Sequence, residues 1–426
     1  MGNKTTPKKA RSGLIVALDV GTTKSCCFIA RLGSDREIHI VGAGHKVSQG
    51  LRSGAIVDME GAESSIRATV EAAEKMAGEN IHQVIVNLSG GSPASKLIAY
   101  EVPISGHEIG DADLQRIIDP SSLIAGLPRG REIIHAIPVG YTIDENRGVR
   151  DPRGMCGERL GVNMHIVTAN SGAVRNLTNS ITRCHLDIEA KVISPYASAL
   201  ACIVDDEAQL GVTHIDMGGG TTSIAVFFDG ELVHTDTIPI GGEHVTKDIA
   251  KGLSTPVAYA ERAKTLYGSA IPSSSDDREI IKVPLIGEIA DSDSSQVPRS
   301  MMTGIIRPRL EETFEMVRSR IEEAGFDKVS GRRVVLTGGA SQLSGAREMA
   351  ALILDKQVRV GLPKHVEGLA ESNSGPAFST CLGLLKYGLD GSFENHNGTY
   401  RPPKEPNGRF GRFGQWFRGN FSHFGY

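Results

Sequence analysis

The chain has few aromatic residues: 5% are Phe, Trp or Tyr, and there is a single tryptophan. A core with so few rings must be filled by aliphatic side chains. Fifty glycines supply many turns, a balance that suits an α/β protein. Charge of one sign is also missing. With 46 basic and 50 acidic residues the net charge is −4, which leaves no electrostatic footprint for nucleic acid. No stretch reaches the roughly 18 to 20 apolar residues of a membrane span. The polar, basic opening MGNKTTPKKAR contains no apolar run that could serve as a signal peptide and is expected to be disordered. Met1-Gly2 with Thr6 fits a myristoylation pattern, but so short a match is usually accidental. The six cysteines (Cys26, Cys27, Cys156, Cys184, Cys202, Cys381) show neither disulfide nor metal-ligand spacing, and most lie in apolar runs, as buried reduced thiols do.

What is present is a duplicated device. IVALDVGTTKSCCFI (Ile15 to Ile29) and VTHIDMGGGTTSIAVF (Val212 to Phe227) both run from an apolar strand through an aspartate and a glycine turn to two threonines and a second apolar strand. A glycine turn between buried strands offers backbone N–H groups with no side chain in the way, a nest for phosphate oxygens. Either segment alone would pass for an ordinary hairpin with a glycine turn. As a pair facing one another, they bring Asp19 and Asp216 to the same phosphates. Magnesium takes one or two carboxylates together with phosphate and water, so these two residues are the candidate Mg²⁺ ligands, directly or through water. Gly21, Thr22, Thr23 and Gly218, Gly219, Gly220, Thr221, Thr222 are the phosphate candidates. For Lys24 two readings stand, phosphate contact or simple exposure. A third turn, VVLTGGASQLSGARE (Val334 to Glu348), reads as a strand, a Gly338-Gly339 turn and a helix from about Gly345, with room for a flat base or ribose.

In that order, the three segments resemble the phosphate-1, phosphate-2 and adenosine motifs of the actin-like ATPase superfamily. VISPYASALA (Val192 to Ala201) and GPAFSTCLGLLKYG (Gly375 to Gly388) resemble its two connecting helices, and Ala197, Ala201, Gly375, Ala377 and Gly383 are small enough for a close crossing. Within the superfamily the chain is similar to the FtsA family of bacterial cell-division proteins. The resemblance rests on LDVGTTKS, GVRDPRGMCGERL (Gly148 to Leu160), IPIGGEHVTKDIA (Ile238 to Ala250), AERAKTLYG (Ala260 to Gly268), VVLTGGASQLSG and the aromatic tail. It implies an α/β, actin-like two-domain ATPase fold of two RNase H-like halves with inserted subdomains, plus a flexible amphipathic tail. ATP and Mg²⁺ are the implied cofactors. The implied partners are the FtsZ C-terminal peptide, further copies in a filament, later division proteins and anionic membrane lipid, with no nucleic acid. The implied location is the cytoplasmic face of the inner membrane at the division site.

The organisation expected from this is residues 1–12 as a basic arm, 13–87 and 169–210 as the first half, and 88–168 as an inserted subdomain. Residues 211–242 and 299–389 form the second half around an insertion at 243–298, followed by a linker at 390–408 and a membrane-targeting helix at 409–426. In the first insertion LIAYEVPI, EIIHAIPVGYTI and NMHIVTA read as strands and DADLQRII as a helix capped by Asp111, while Asp151, Pro152, Gly154 and Gly157 shape a rigid turn. In the second, STPVAYAERAKTLYG reads as a helix capped by Ser254 or Thr255 with Pro256 in its first turn, and IIKVPLIGEI as a short strand pair. Glu261 and Lys264 lie three apart on one helical face. The resemblance assigns them, with Gly338, Gly339 and Ala340, to the nucleoside; a solvated ion pair is the other reading. A long helix from about Met301 to Ala324 buries Ile305, Ile306, Leu310, Phe314, Val317 and Ile321, with a kink or entry turn at Pro308. Arg299 and Arg307, with Arg309, form a basic cluster that suits an acidic peptide such as the FtsZ tail, or a solvated face.

Catalysis is harder to place. Where many relatives carry an acid before the proline of the first connecting helix, this chain has Ser194-Pro195, and Glu189 is the nearest substitute. No residue declares itself as the general base that a small-molecule kinase of the superfamily would need. A related pilus-assembly scaffold is the other alternative. The tail argues against both. Seven of the 21 aromatic residues fall in RFGRFGQWFRGNFSHFGY. At about 100° per residue, Phe410, Phe413, Trp416, Phe417, Phe421 and Phe424 share an arc of roughly 140°. Arg412 and Arg418 flank it, a pattern suited to a membrane interface.

Overall fold

The computed structural model describes residues 13–33, 37–118, 128–287 and 295–390. The expectations for the amino-terminal arm, most of the linker and the tail, including Phe410, Arg412, Phe413, Trp416, Phe417, Arg418, Phe421 and Phe424, lie outside them.

Two five-stranded sheets repeat one plan. In the first half Leu14–Val20 and Lys24–Leu32 form a hairpin, Ile38–Val47 joins it antiparallel, and Gln83–Leu88 and Asp187–Ile193 add parallel strands on the other side. The second half uses Val212–Met217, Thr222–Phe228, Glu231–Ile238, Arg333–Thr337 and Gln357–Val360 in the same way. Counted within its own half, each sheet has the strand order third, second, first, fourth, fifth. The central strands are buried on both faces, which is why they read as unbroken apolar runs rather than alternating ones. In each first strand the aspartate is the penultimate residue, so both carboxylates stand at the same edge of their sheets.

The halves are joined where the helix Ser194–Cys202 crosses the helix Ser379–Asp390. Gly383 lies so close to Ala197 that a Cβ there would fall on the Ala197 carbonyl, whereas nothing crowds Gly375, so its smallness is not needed for the crossing. The Lys386 ammonium donates to the Leu200 carbonyl at 2.9 Å, at the C-terminal end of the first connecting helix, where a cation is favoured. Gly383→Val is therefore expected to lower the melting temperature, with a loss of about 1–3 kcal/mol as for other overpacked cores. An unchanged melting curve would mean that the helices separate without cost.

The first insertion is a four-stranded sheet of Ala94–Pro103, Arg159–Asn170, Arg131–Ile143 and Asn146–Val149, in that spatial order. The helix Asp111–Ile118 buries Leu114 and Ile117. Asp111 does not cap it. Asp113 reaches back to the Gly110 N–H at 3.1 Å, and Asp111 instead pairs with Arg153 at 3.0 Å. The expected turn is present: the Arg153 N–H donates to Asp151 Oδ1, and Gly154 has φ +77°.

In the second insertion the helix Val257–Tyr267 starts later than expected, with Pro256 at its cap. Neither Ser254 nor Thr255 caps it, because the Thr255 hydroxyl is committed to the Pro284 carbonyl at 2.7 Å. Ile280–Val283 pairs with Ser295–Pro298 rather than with the residues just after it, since that second strand leads straight into the long helix Arg299–Glu323. Pro308 lies inside that helix rather than at its entry. Ile306, Leu310, Phe314, Val317 and Ile321 are buried as expected, and Ile305 is only partly so.

Candidate functional site

Each hairpin closes with the same tight turn. The Gly21 N–H donates to the Lys24 carbonyl at 3.1 Å, and the Gly218 N–H to the Thr221 carbonyl at 2.8 Å. The two turns meet face to face between the halves. A Cβ on Gly219 would overlap Thr23 Oγ1; one on Gly220 would lie 2.5 Å from Thr22 Oγ1. Only glycine permits that approach.

Asp19 and Asp216 lie beneath the turns, both buried. Burial raises the Asp19 pKa to about 7; Lys24 pulls it down and the neighbouring charge of Asp216 pushes it up. Burial also raises Asp216, opposed by hydrogen bonds from Ser198 and Thr380, one on each connecting helix. Two like charges held out of water in sensing distance are a setting that a cation relieves. Among the described residues no three His, Cys, Asp or Glu gather into a metal-holding group. Mg²⁺ here would thus rely on these two carboxylates together with phosphate oxygens and water. The donor set and the glycine cradle fit such a complex.

The third turn packs directly on the second. Gly338 has φ +88°, and a Cβ there would fall on Asp216 Oδ1 and the Met217 carbonyl. Beyond it, the helix Gly242–Gly252 is tied to the second hairpin, since the N–H groups of Gly242 and Glu243 donate to the Gly218 and Gly219 carbonyls. Lys264 completes the chain, donating to the Gly242 carbonyl at 3.2 Å, Thr246 Oγ1 at 2.9 Å and Glu261 Oε2 at 2.7 Å. Thr246 also donates to Glu261. Ala340 faces Gly242, its Cβ 3.1 Å from where a Gly242 Cβ would stand. Gly338, Ala340, Glu261 and Lys264 thus belong to one connected wall. Within the Glu261–Lys264 pair the lysine is largely embedded in it, 14% exposed, while the Glu261 side chain is 50% exposed and keeps one face to solvent.

Lys24 is not simply exposed: it is half-buried. Its ammonium sits 3.1 Å above the centre of the Phe378 ring, a cation–π contact between the first hairpin and the segment preceding the second connecting helix. Glu189 cannot replace a base at position 194: it is exposed at a bulge in its strand, four residues, or about 13 Å, before the strand's end. The arginines do not form an open basic face. Arg299 bonds Asp276, Glu279 and the Tyr267 carbonyl, Arg307 pairs with Glu311, and Arg309 with Asp248 and Glu312. Arg307 is the more exposed of the two binding candidates.

Two groups escaped the sequence reading. The hairpin Leu51–Arg52/Ala55–Ile56 places Ser53 and Gly54, both at positive φ, against the site. The Gly54 N–H donates to Thr22 Oγ1 at 2.9 Å, and the Ser53 Cα is 2.9 Å from a Cβ on Gly220. The Ser-Gly dipeptide was its local signal. The second is Asn87, which gives no such signal. It accepts from the Val20 N–H at 2.7 Å, at the root of the first turn, and donates to Ser89 and Ser194.

Paired sheets of one plan, crossing connecting helices and three converging glycine turns define an actin-like ATPase fold. Solved structures share it: a PilM-PilN type IV pilus biogenesis complex (TM-score 0.63, 16% identity, 89% of this chain and 99% of that one) and MreB5 of Spiroplasma citri bound to ADP (TM-score 0.51, 14% identity, 91% and 100%). A family model described as cell division protein FtsA matches residues 213–383, and one described as the SHS2 domain inserted in FtsA matches residues 90–168. The chain is 44% identical over 424 residues to the cell division protein FtsA of Agrobacterium fabrum, covering 96% of each. It is 31% identical over 424 residues to that of Escherichia coli, covering 96% of this chain and 98% of the other. The chain belongs to the FtsA family of cell division proteins.

Proposed function

We propose that the protein binds ATP with Mg²⁺ between its halves and assembles into a filament on the cytoplasmic face of the inner membrane at the division site. There it ties the FtsZ ring to the membrane through its tail and helps to recruit later division proteins. Family membership along nearly the whole chain carries this reading. The site supports its nucleotide part. Asp19 and Asp216 hold the metal; Gly21, Thr22, Thr23 and Gly218 to Thr222 hold the phosphates, joined by Lys24 when it leaves Phe378. Gly338, Gly339, Ala340, Glu261 and Lys264 receive the nucleoside. Because the two turns abut, a polyphosphate enters as the halves swing apart about their crossing helices. Bound metal supplies positive charge to the phosphates, and Asp19 and Asp216 fix where that charge stands. MreB5 has been solved with ADP and with AMPPNP; nucleotide binding by this chain is part of the proposal.

Arg307 is the better candidate for the FtsZ tail, because Arg299 is engaged inside the fold. Immobilised FtsZ C-terminal peptide is expected to retain the full chain, and Arg307→Glu to weaken retention by about tenfold, the scale of one charge pair made repulsive. A parent protein that flows past the peptide would contradict the ring-tethering role.

A further inference from the structure

The halves share more than their sheets. The segment leaving the fourth strand reads LSGGS at residues 88–92 and LTGGAS at residues 336–341. In each half its hydroxyl residue meets the first residue of a connecting helix: Ser89 Oγ is 2.8 Å from Ser194 Oγ, and Thr337 Oγ1 is 2.7 Å from Ser379 Oγ. The repeated strand order makes the pairs equivalent. Their protons are not.

Thr337 donates to the Gly361 carbonyl at 2.9 Å, so Ser379 must be the donor to Thr337, and both hydroxyl protons are spent. The first half differs because of Asn87, which has a valine, Val335, as its counterpart. The Val20 N–H can only donate, so the Asn87 oxygen faces it at 2.7 Å. The amide nitrogen then faces Ser89 at 3.0 Å and Ser194 at 3.1 Å. Each hydroxyl accepts from Asn87, one proton passes between them, and one remains to donate outward. Ser194 does not use it to cap its own helix, which begins without a side-chain cap.

The direction follows from the internal symmetry. Gly338-Gly339 is the nucleoside end of the site in the reading above. Its counterpart in the first half, Gly90-Gly91, stands at the opposite end of the same paired turns, and Ser89 just before it is joined through Asn87 to Val20 between Asp19 and Gly21. A nucleotide with its base toward Ala340 extends its terminal phosphate toward Ser89 and Ser194. Resting on the nucleotide reading, we propose that Asn87 is a positioning residue which aims the one spare proton of the Ser89–Ser194 pair at the terminal phosphate of a nucleoside triphosphate. The pair distinguishes triphosphate from diphosphate by donating to a phosphate oxygen. A neutral hydroxyl pair is no base for water, so recognition comes without rapid hydrolysis.

The test measures ATP and ADP affinity of the full chain with Mg²⁺ by calorimetry, with melting curves to confirm folding. Ser194→Ala is expected to weaken ATP by about tenfold, the value of a hydrogen bond to a charged group, with ADP unchanged; Asn87→Asp is expected to lower the ATP-to-ADP affinity ratio by a similar factor, its added charge repelling both nucleotides. Asn87→Asp keeps the acceptor for Val20 and removes both donors. Ser89→Thr, which installs the residue of the second half, should keep the preference for ATP, and Ser89→Ala should lose it; a merely structural role would not separate the two. Folded Ser194→Ala and Asn87→Asp proteins with the parent's ATP-to-ADP ratio would overturn the proposal and leave the nucleotide site standing. A parent that binds neither nucleotide would overturn the reading beneath it.

Discussion

Gly219→Val is expected to abolish Mg-ATP binding, by at least about 100-fold or roughly 2.7 kcal/mol, in a protein that remains folded. The valine costs no backbone strain, because Gly219 does not adopt a left-handed conformation. Its side chain instead enters the space of Thr23 on the opposing turn, so the steric cost falls on the approach of the two halves and not on either sheet. Asp216→Ala reaches the same end by another route. Its carboxylate is disfavoured by burial, so its removal relieves the fold of a desolvation cost while taking away a proposed metal ligand. Calorimetric titration with Mg-ATP, alongside melting curves, checks both. Undiminished affinity in folded Gly219→Val would remove the paired turns from the site.

The paired hairpins were legible because everything that defines them is local: an apolar run, an aspartate one residue before the strand ends, a glycine turn. The same holds for Gly338-Gly339 and for the buried face of the long helix. What stayed hidden depends on partners far away in sequence. Lys24 finds Phe378, Arg309 finds Asp248, Thr255 finds Pro284, and each contact changes what the residue is free to do. Helix caps failed for the same reason, since a serine or threonine before a helix caps it only if nothing else claims its hydroxyl. Asn87 is the sharpest case. In sequence it is a polar residue in an apolar strand; only the fold brings it under Val20 and beside Ser194. The LSGG and LTGG repeat is too short to stand out until the two sheets are superposed in the mind by their strand order.

Removal of residues 409–426, or Trp416→Glu, is expected to release the protein from anionic liposomes without weakening ATP binding. Among the described residues no helix is long and apolar enough to cross a membrane, and the aromatic stripe of the tail is the segment suited to its surface. Fully burying one aromatic side chain contributes about 1.5–3 kcal/mol, and each glycine within the helix, at 411, 414 and 419, returns about 1 kcal/mol. One tail is therefore expected to bind modestly. A filament carrying many tails would hold on far more firmly, because each further tail would bind at high effective concentration without any new kind of contact. A carboxylate in place of the Trp416 ring removes the largest aromatic anchor, is costly to desolvate and is repelled by anionic lipid. Circular dichroism of the isolated tail should show helix only when vesicles are added, and vesicle pelleting at equal filament content isolates the anchor from assembly. If Trp416→Glu pelleted as well as the parent under that condition, the tail would not be the anchor, and the tether between ring and membrane would have to be sought in the folded halves.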